Sequence, residues 1–181
     1  MNSEANIAYF SMEIGFSNNI PTYSGGLGIL AGDTLKSAAD LKIPLVAVTL
    51  ISKKGYFRQD IDKDGKQIEY PIDWDPSKFM TLLPKKIEIK IEGRNVHVQA
   101  WCYKVQSITG GEVEVFYLDT DVEENIKEDR EITAHLYGGD DCYRLKQEVV
   151  LGIGGVRMLH TLGFHIKKYH MNEGHASLLT L

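Results

Sequence analysis

Cysteine is scarce. Only Cys102 and Cys142 occur in 181 residues, far apart and without the spacing that zinc sites or dithiol redox motifs need. A disulfide scaffold and a cysteine-held metal are excluded, and no metal set is legible elsewhere. Basic charge is not in excess either. The 20 basic and 25 acidic residues give a net charge of −5 with no basic stripe, which argues against a nucleic-acid partner. Long apolar runs are missing: the longest, residues 43–51, is too short to span a bilayer. The opening MNSEANIAYF lacks the basic-then-apolar pattern of a secretory signal. No membrane partner is expected, and a reduced, cytoplasmic protein is the plain reading. Repeats and low-complexity tracts are absent. With 43% hydrophobic residues the chain can bury a core.

What is there reads as an α/β protein. Residues 7–12 form a short buried strand. A loop over 18–24 leads to glycines, and from Gly25 the apolar positions Leu27, Ala31, Leu35 and Ala38 recur at helical spacing until about Leu41, with Pro44 beyond. Residues 45–51 are apolar throughout, as in a strand buried on both faces of a parallel sheet. The order strand, glycine turn, helix, strand is a βαβ unit. A β-rich insertion is expected over about 56–120: a hairpin from 56 to 70, then strands in which Ile87, Ile89, Ile91 and Val96, Val98, Ala100, Cys102 alternate with polar residues, and a third over 113–118. Residues 121–130 are charged and expected at the surface. A helix is predicted over 143–162, a strand over 166–171, and another helix from 172 to 181. A chain stopping inside an apolar helix reads as a fragment of a longer protein.

Candidate sites are weighed against duller explanations. In Gly25-Gly26-Leu27-Gly28 glycine allows positive φ and close approach of a ligand to the backbone. The helix that follows aims unpaired N–H groups and a partial positive charge at the same spot, which suits phosphate. The alternative is a turn needed only for packing. A dinucleotide fingerprint fits poorly, since no acid for a ribose follows the second strand. Asp60-Ile61-Asp62-Lys63-Asp64-Gly65 copies half of a calcium loop, but its twelfth position is Pro71 rather than Glu; a hairpin turn at Asp64-Gly65 is the better reading. His170-Met171-Asn172-Glu173-Gly174-His175 puts polar groups at the carboxyl end of a strand, where open α/β sheets bind ligands. His175 is the candidate contact, against a cap by Asn172 and a solvated histidine. Gly152-Ile153-Gly154-Gly155 lies in a helical pattern, so close helix packing is expected. Ser11 and Ser24 stand in no nucleophile context.

Several segments, in order, resemble the α-glucan (glycogen/maltodextrin) phosphorylases, the shorter bacterial form above all: Tyr9-Phe10-Ser11-Met12-Glu13, Tyr23-Ser24-Gly25-Gly26-Leu27-Gly28-Ile29-Leu30-Ala31-Gly32-Asp33, Lys54-Gly55-Tyr56-Phe57-Arg58-Gln59, Arg144-Leu145-Lys146-Gln147-Glu148 and His170 to His175. The resemblance implies a Rossmann-like part of the N-terminal half of a GT-B fold. It implies reversible phosphorolysis of α-1,4-glucan to glucose 1-phosphate, with pyridoxal phosphate as cofactor, glucan and phosphate as partners, and a homodimer for the whole protein. It places Gly25, Gly26 and Gly28 by the cofactor or substrate phosphate and His175 on the sugar. Asp140 and Asp141 fall in a loop at the site entrance. The family's anchoring lysine belongs to a C-terminal domain that nothing here matches, so inactivity of this chain alone is expected. The glycine turn also resembles that of starch-synthase-type transferases, and a non-catalytic glucan-binding module is the third reading.

Overall fold

The computed structural model describes residues 5–72 and 74–181. Its centre is a mixed sheet of six strands in the order β5-β6-β7-β2-β1-β8. The strands are β1 (Ile7–Phe10), β2 (Leu45–Leu50), β5 (Thr81–Ile91), β6 (Arg94–Gln106), β7 (Glu112–Asp119) and β8 (Lys168–Met171). β1 pairs in parallel with both β2 and β8, and β2 pairs in parallel with β7. From β7 outward the sheet turns antiparallel, through β6 to β5.

The expected βαβ unit is present: helix α1 (Gly26–Asp40) joins β1 to its parallel neighbour β2. Its buried stripe of Ala31, Leu35, Ala38 and Ala39 packs on Tyr9, Ala47, Val113, Val115 and Tyr117 of one sheet face. Gly32 is buried in the same stripe; a Cβ there would fall 2.0 Å from the Gly15 carbonyl, so only glycine lets α1 approach the chain leaving β1. The opposite face of the sheet carries Phe10, Val48, Ile89, Val98 and Phe116. It is covered by α3 (Asp141–Val149), a π-helical turn (Val150–Gly154) and α4 (Gly155–Leu162). The chain therefore has three layers, as amphipathic helices on both faces of a sheet require.

The residues expected as one β-rich insertion divide into two parts. β3 (Arg58–Ile61) and β4 (Gln67–Tyr70) form a separate antiparallel ribbon. The strands β5 to β7 instead continue the central sheet, because the apolar face of each meets the same helical layer as β1 and β2. At the ribbon turn Gly65 has φ 78, and Asp62 accepts N–H bonds from Asp64 and Lys66, so this acidic run serves the hairpin.

One surface expectation needs correction. The charged stretch 121–130 is not uniformly exposed: Val122, Asn125 and Asp129 are buried. Asn125 bridges His97 and Thr120, and Asp129 takes a two-pronged bond from the Arg94 guanidinium at 2.9 and 3.1 Å. The helix expected over 172–181 is present as a 3-10 helix, Gly174–Thr180. Among the described residues, no helix is long and apolar enough to cross a membrane.

Candidate functional site

Four strands run in the same direction, so the segments leaving them meet along one edge. Residues 11–15 follow β1, 51–54 follow β2, 120–121 follow β7, and 172–175 follow β8. Backbone bonds from Ser11 to Val48, Ile51 to Leu118 and Asn172 to Phe10 extend the pairing past the strand ends. Asn172 then acts as a tie rather than a cap. Its Nδ2 donates to Ser11 Oγ at 3.1 Å, and Ser11 Oγ donates to the Glu13 carbonyl at 2.7 Å. The cap position of the 3-10 helix falls to Glu173, whose φ of 69 makes no side-chain cap.

Glu13 is the hub of this edge and is 3% exposed. One carboxylate oxygen accepts the N–H of Ser24 at 2.6 Å and of Gly25 at 3.4 Å; the other accepts the Tyr137 hydroxyl at 3.0 Å. The glycine turn thus meets a carboxylate belonging to the chain itself. Gly28 makes the fit possible, since a Cβ there would lie 2.9 Å from Glu13 Oε2 and 2.5 Å from Tyr23 Cβ. None of Gly25, Gly26 and Gly28 needs a positive φ: Gly25 is extended and the helix starts directly after it. Only Gly28 is required for space. A Cβ on Gly25 or Gly26 would meet nothing within 4 Å. The α1 ladder begins with Ile29 N–H to Gly25 O, so the N–H groups of residues 26, 27 and 28 lie outside it.

Tyr137 connects the turn to His175. The two rings lie 5.4 Å apart, and Arg144 donates to His175 Nε2 at 3.2 Å while its guanidinium stands 5.7 Å from the Tyr137 ring. Burial pushes the Tyr137 phenol up, and the neighbouring Glu13 charge pushes it further, so it stays a neutral donor. Tyr137 has φ 53. Strained backbone at Tyr137 and Glu173, on either side of one site, is where functional strain collects. The loop is pinned from below by buried Gln147, whose Nε2 donates to the carbonyls of Ile132 and His135.

Among the sequence candidates, His175 and the Gly25–Gly28 turn come together through Glu13 and Tyr137. Asp140 and Asp141 bring no side-chain hydrogen bond to the cluster among the described residues; only the Asp140 carbonyl meets it, accepting the Arg144 backbone N–H at 3.0 Å. Asp140 caps α3 by accepting the Tyr143 N–H at 2.9 Å, and Asp141 is exposed in the first turn. Lys53 lies in a separate pocket of about 290 Å³, bound to Asp119 at 2.9 Å and Asp121 at 3.1 Å. Burial alone would lower its ammonium, but those two carboxylates outweigh it and raise it. Glu13, Tyr137 and Arg144 were not singled out as site residues. Glu13 and Arg144 stand in segments that carry the family resemblance, and an acid directly after a buried strand was a further signal for Glu13; the meeting of Tyr137 with both is set by tertiary folding.

The fold is α/β with a mixed central sheet, and the candidate site lies along the carboxyl edge of its parallel strands. The chain belongs to the carbohydrate phosphorylase family, which it matches over residues 19–143. It is 46% identical over 179 residues to the maltodextrin phosphorylase of Thermococcus litoralis and 44% identical over 185 residues to the glycogen phosphorylase of Mycobacterium tuberculosis, alignments that take in 95% and 96% of this chain. Identity to the Aquifex aeolicus glycogen phosphorylase is 36%, over 97% of the chain. The chain spans about a fifth of the length of the first two relatives, 21% in each case.

Proposed function

We propose that this chain is the glucan-facing part of an α-glucan phosphorylase, a glycosyltransferase that moves a glucosyl unit between an α-1,4-glucan and inorganic phosphate, within the N-terminal half of a GT-B fold. The observation that carries the reading is the contact chain running from the glycine turn through Glu13 and Tyr137 to His175 and Arg144. A sugar needs acceptors, donors and a flat apolar face. Arg144 and His175 offer guanidinium and ring nitrogens, Tyr137 supplies the face, and buried Glu13 holds the turn and Tyr137 in place. The N–H groups of residues 26–28, at the positive end of a 15-residue helix, suit a phosphate and add no mobile charge.

Pyridoxal phosphate, when bound in this family, supplies a phosphate that relays a proton to the substrate phosphate. The open space over Gly25 and Gly26 fits that phosphate end. An anchoring amine does not come from Lys53, which two carboxylates keep charged and so unsuited to imine formation. The chain therefore supplies sugar and phosphate contacts, and the whole protein supplies turnover.

The test is glucose 1-phosphate release from maltodextrin and phosphate by the whole protein. We expect release, and a fall on the order of a hundredfold in Glu13→Ala as the turn and Tyr137 lose their shared acceptor. Absence of phosphate-dependent release from the unmutated protein overturns the reading. Release by the 181-residue chain alone overturns the division of labour.

A further inference from the structure

We propose that Arg144 is a positioning residue that fixes the tautomer of His175: the guanidinium takes the Nε2 lone pair, the ring proton sits on Nδ1, and His175 acts as a fixed hydrogen-bond donor that carries no proton in the reaction. The tautomer stands on geometry alone. Its use in turnover rests on the reading of the cluster as a phosphorolysis site.

A neutral imidazole has one N–H donor and one lone pair, and its partners decide which nitrogen is which. A guanidinium has donors only. Arg144 Nη2 lies 3.2 Å from His175 Nε2, so the nitrogen that meets it is the acceptor and the proton is left on Nδ1. In free histidine the proton favours Nε2; the Arg144 contact reverses that order. An imidazolium would set a second N–H against the guanidinium and lose the bond. With one nitrogen spent on a cation and the other already protonated, the ring keeps no lone pair with which to take a proton from a substrate.

Nothing else competes for either group. Among the described residues the Arg144 side chain has no carboxylate partner; it meets the His175 nitrogen and stands over the Tyr137 ring, 5.7 Å from its centre. His175 Nδ1 is buried and has no partner among the described residues. Its neighbours are engaged: both Glu13 oxygens, the Tyr137 hydroxyl, Ser11 Oγ and Asn172 Nδ2 all have partners. Buried donors are almost always matched. An acceptor oxygen of hydroxyl type, from water or from a sugar, is the partner this one calls for.

The pair is held from both sides. Arg144 rides on α3, whose start is capped by Asp140 and whose Gln147 is tied to the carbonyls of Ile132 and His135. His175 is followed by Ala176, which is fully buried. The Tyr137 ring flanks the imidazole at 5.4 Å, inclined by 47°. Turning the imidazole over would put a C–H against the guanidinium in place of a nitrogen.

The first experiment is long-range proton–nitrogen NMR on the 181-residue chain labelled with 15N-histidine, at about pH 8, above the ordinary imidazole range. The chain has six histidines, and His175 is assigned by the signals lost in His175→Gln. We expect Nδ1 to resonate as an N–H nitrogen and Nε2 as a lone-pair nitrogen. Arg144→Ala should return the proton to Nε2 or give a mixture; a urea melt checks that this variant folds. A proton on Nε2 in the unmutated chain overturns the proposal, and so does an Nδ1–H tautomer that Arg144→Ala leaves untouched. The second experiment is glucose 1-phosphate release by the whole protein. His175→Asn brings an amide N–H to the place of Nδ1 but no titrating group. We expect it to stay within about tenfold of the unmutated rate and to exceed His175→Ala by about tenfold, the worth of one buried hydrogen bond. A loss in His175→Asn of about a hundred- to ten-thousandfold, the worth of general acid–base catalysis, overturns the donor role, as do equal rates in the Asn and Ala variants. If the unmutated protein releases no glucose 1-phosphate, the phosphorolysis reading falls while the NMR result still decides the tautomer.

Discussion

Single residues here carry more than one duty, and the charged ones show how. Lys53 lies between Asp119, which is fully buried, and Asp121, which also takes the Arg130 guanidinium at 2.6 Å. Asp119 further accepts from Gln99 Nε2 and Trp101 Nε1, both at 2.9 Å. Burial would push the Asp121 carboxyl up, but Arg130 and Lys53 outweigh it and hold it below the ordinary carboxylate range. A carboxyl with a depressed folded-state pKa stabilises the fold above its unfolded value, and that contribution is lost as pH falls through the folded value. Stability measured by urea melts should therefore drop below about pH 4, and Asp121→Asn should be weaker near neutrality yet show a shallower acid loss. An acid loss of unchanged steepness in Asp121→Asn would remove Asp121 from the account.

Elements show where periodicity informs and where it stops. The alternation Ile87-Ile89-Ile91 and Val96-Val98-Ala100 is legible as strands because a half-buried strand needs period two, and those positions are the buried ones. The apolar spacing of residues 145–159 gives a helix of the right extent. It does not give the π turn at Val150–Gly154, where one extra residue per turn lets glycines face two partners. A Cβ on Gly152 would lie 2.5 Å from the Leu179 nitrogen and 2.6 Å from the Leu178 carbonyl carbon, while one on Gly155 would meet Phe10 Cε1 at 2.6 Å. The expected close packing at this glycine cluster is thus present, against the C-terminal 3-10 helix on one side and the sheet on the other. Because the obstacles at Gly152 are backbone atoms, Gly152→Ala should destabilise the chain by about 1–3 kcal/mol. It should also loosen the segment bearing His175. Equal urea midpoints for this variant and the unmutated chain would contradict that.

For the whole molecule, the pattern of strands was readable, but beyond the parallel pair β1 and β2 their neighbours were not. Residues 81–119 read as an insertion because sequence spacing does not report which sheet a strand joins; burial of β7 between β2 and β6 decides it. The site was half legible for the same reason: glycines and His175 sit in local patterns, whereas Glu13, Tyr137 and Arg144 meet only when distant segments fold together. Topology also sets a stability gradient. β7 is flanked on both sides, while β8 lies at the sheet edge with Lys168, His170 and Met171 exposed. Edge strands with few buried contacts open first. Native-state hydrogen exchange should show β8 amides less protected than those of β7, and equal protection across the two strands would overturn this gradient.

The bond from Asn172 to Ser11 joins residues 161 positions apart. During synthesis β1 leaves the ribosome early and can find β2 soon after, yet its other flank waits until β8, Lys168–Met171, has been made. Closing so long a loop is slow compared with closing the β5–β6–β7 meander. Until it closes, Glu13 and the glycine turn exist without His175 opposite them. The proposed site thus depends on the last strand to join: a chain stalled or clipped before β8 can carry most of its sheet and still lack the contacts of His175.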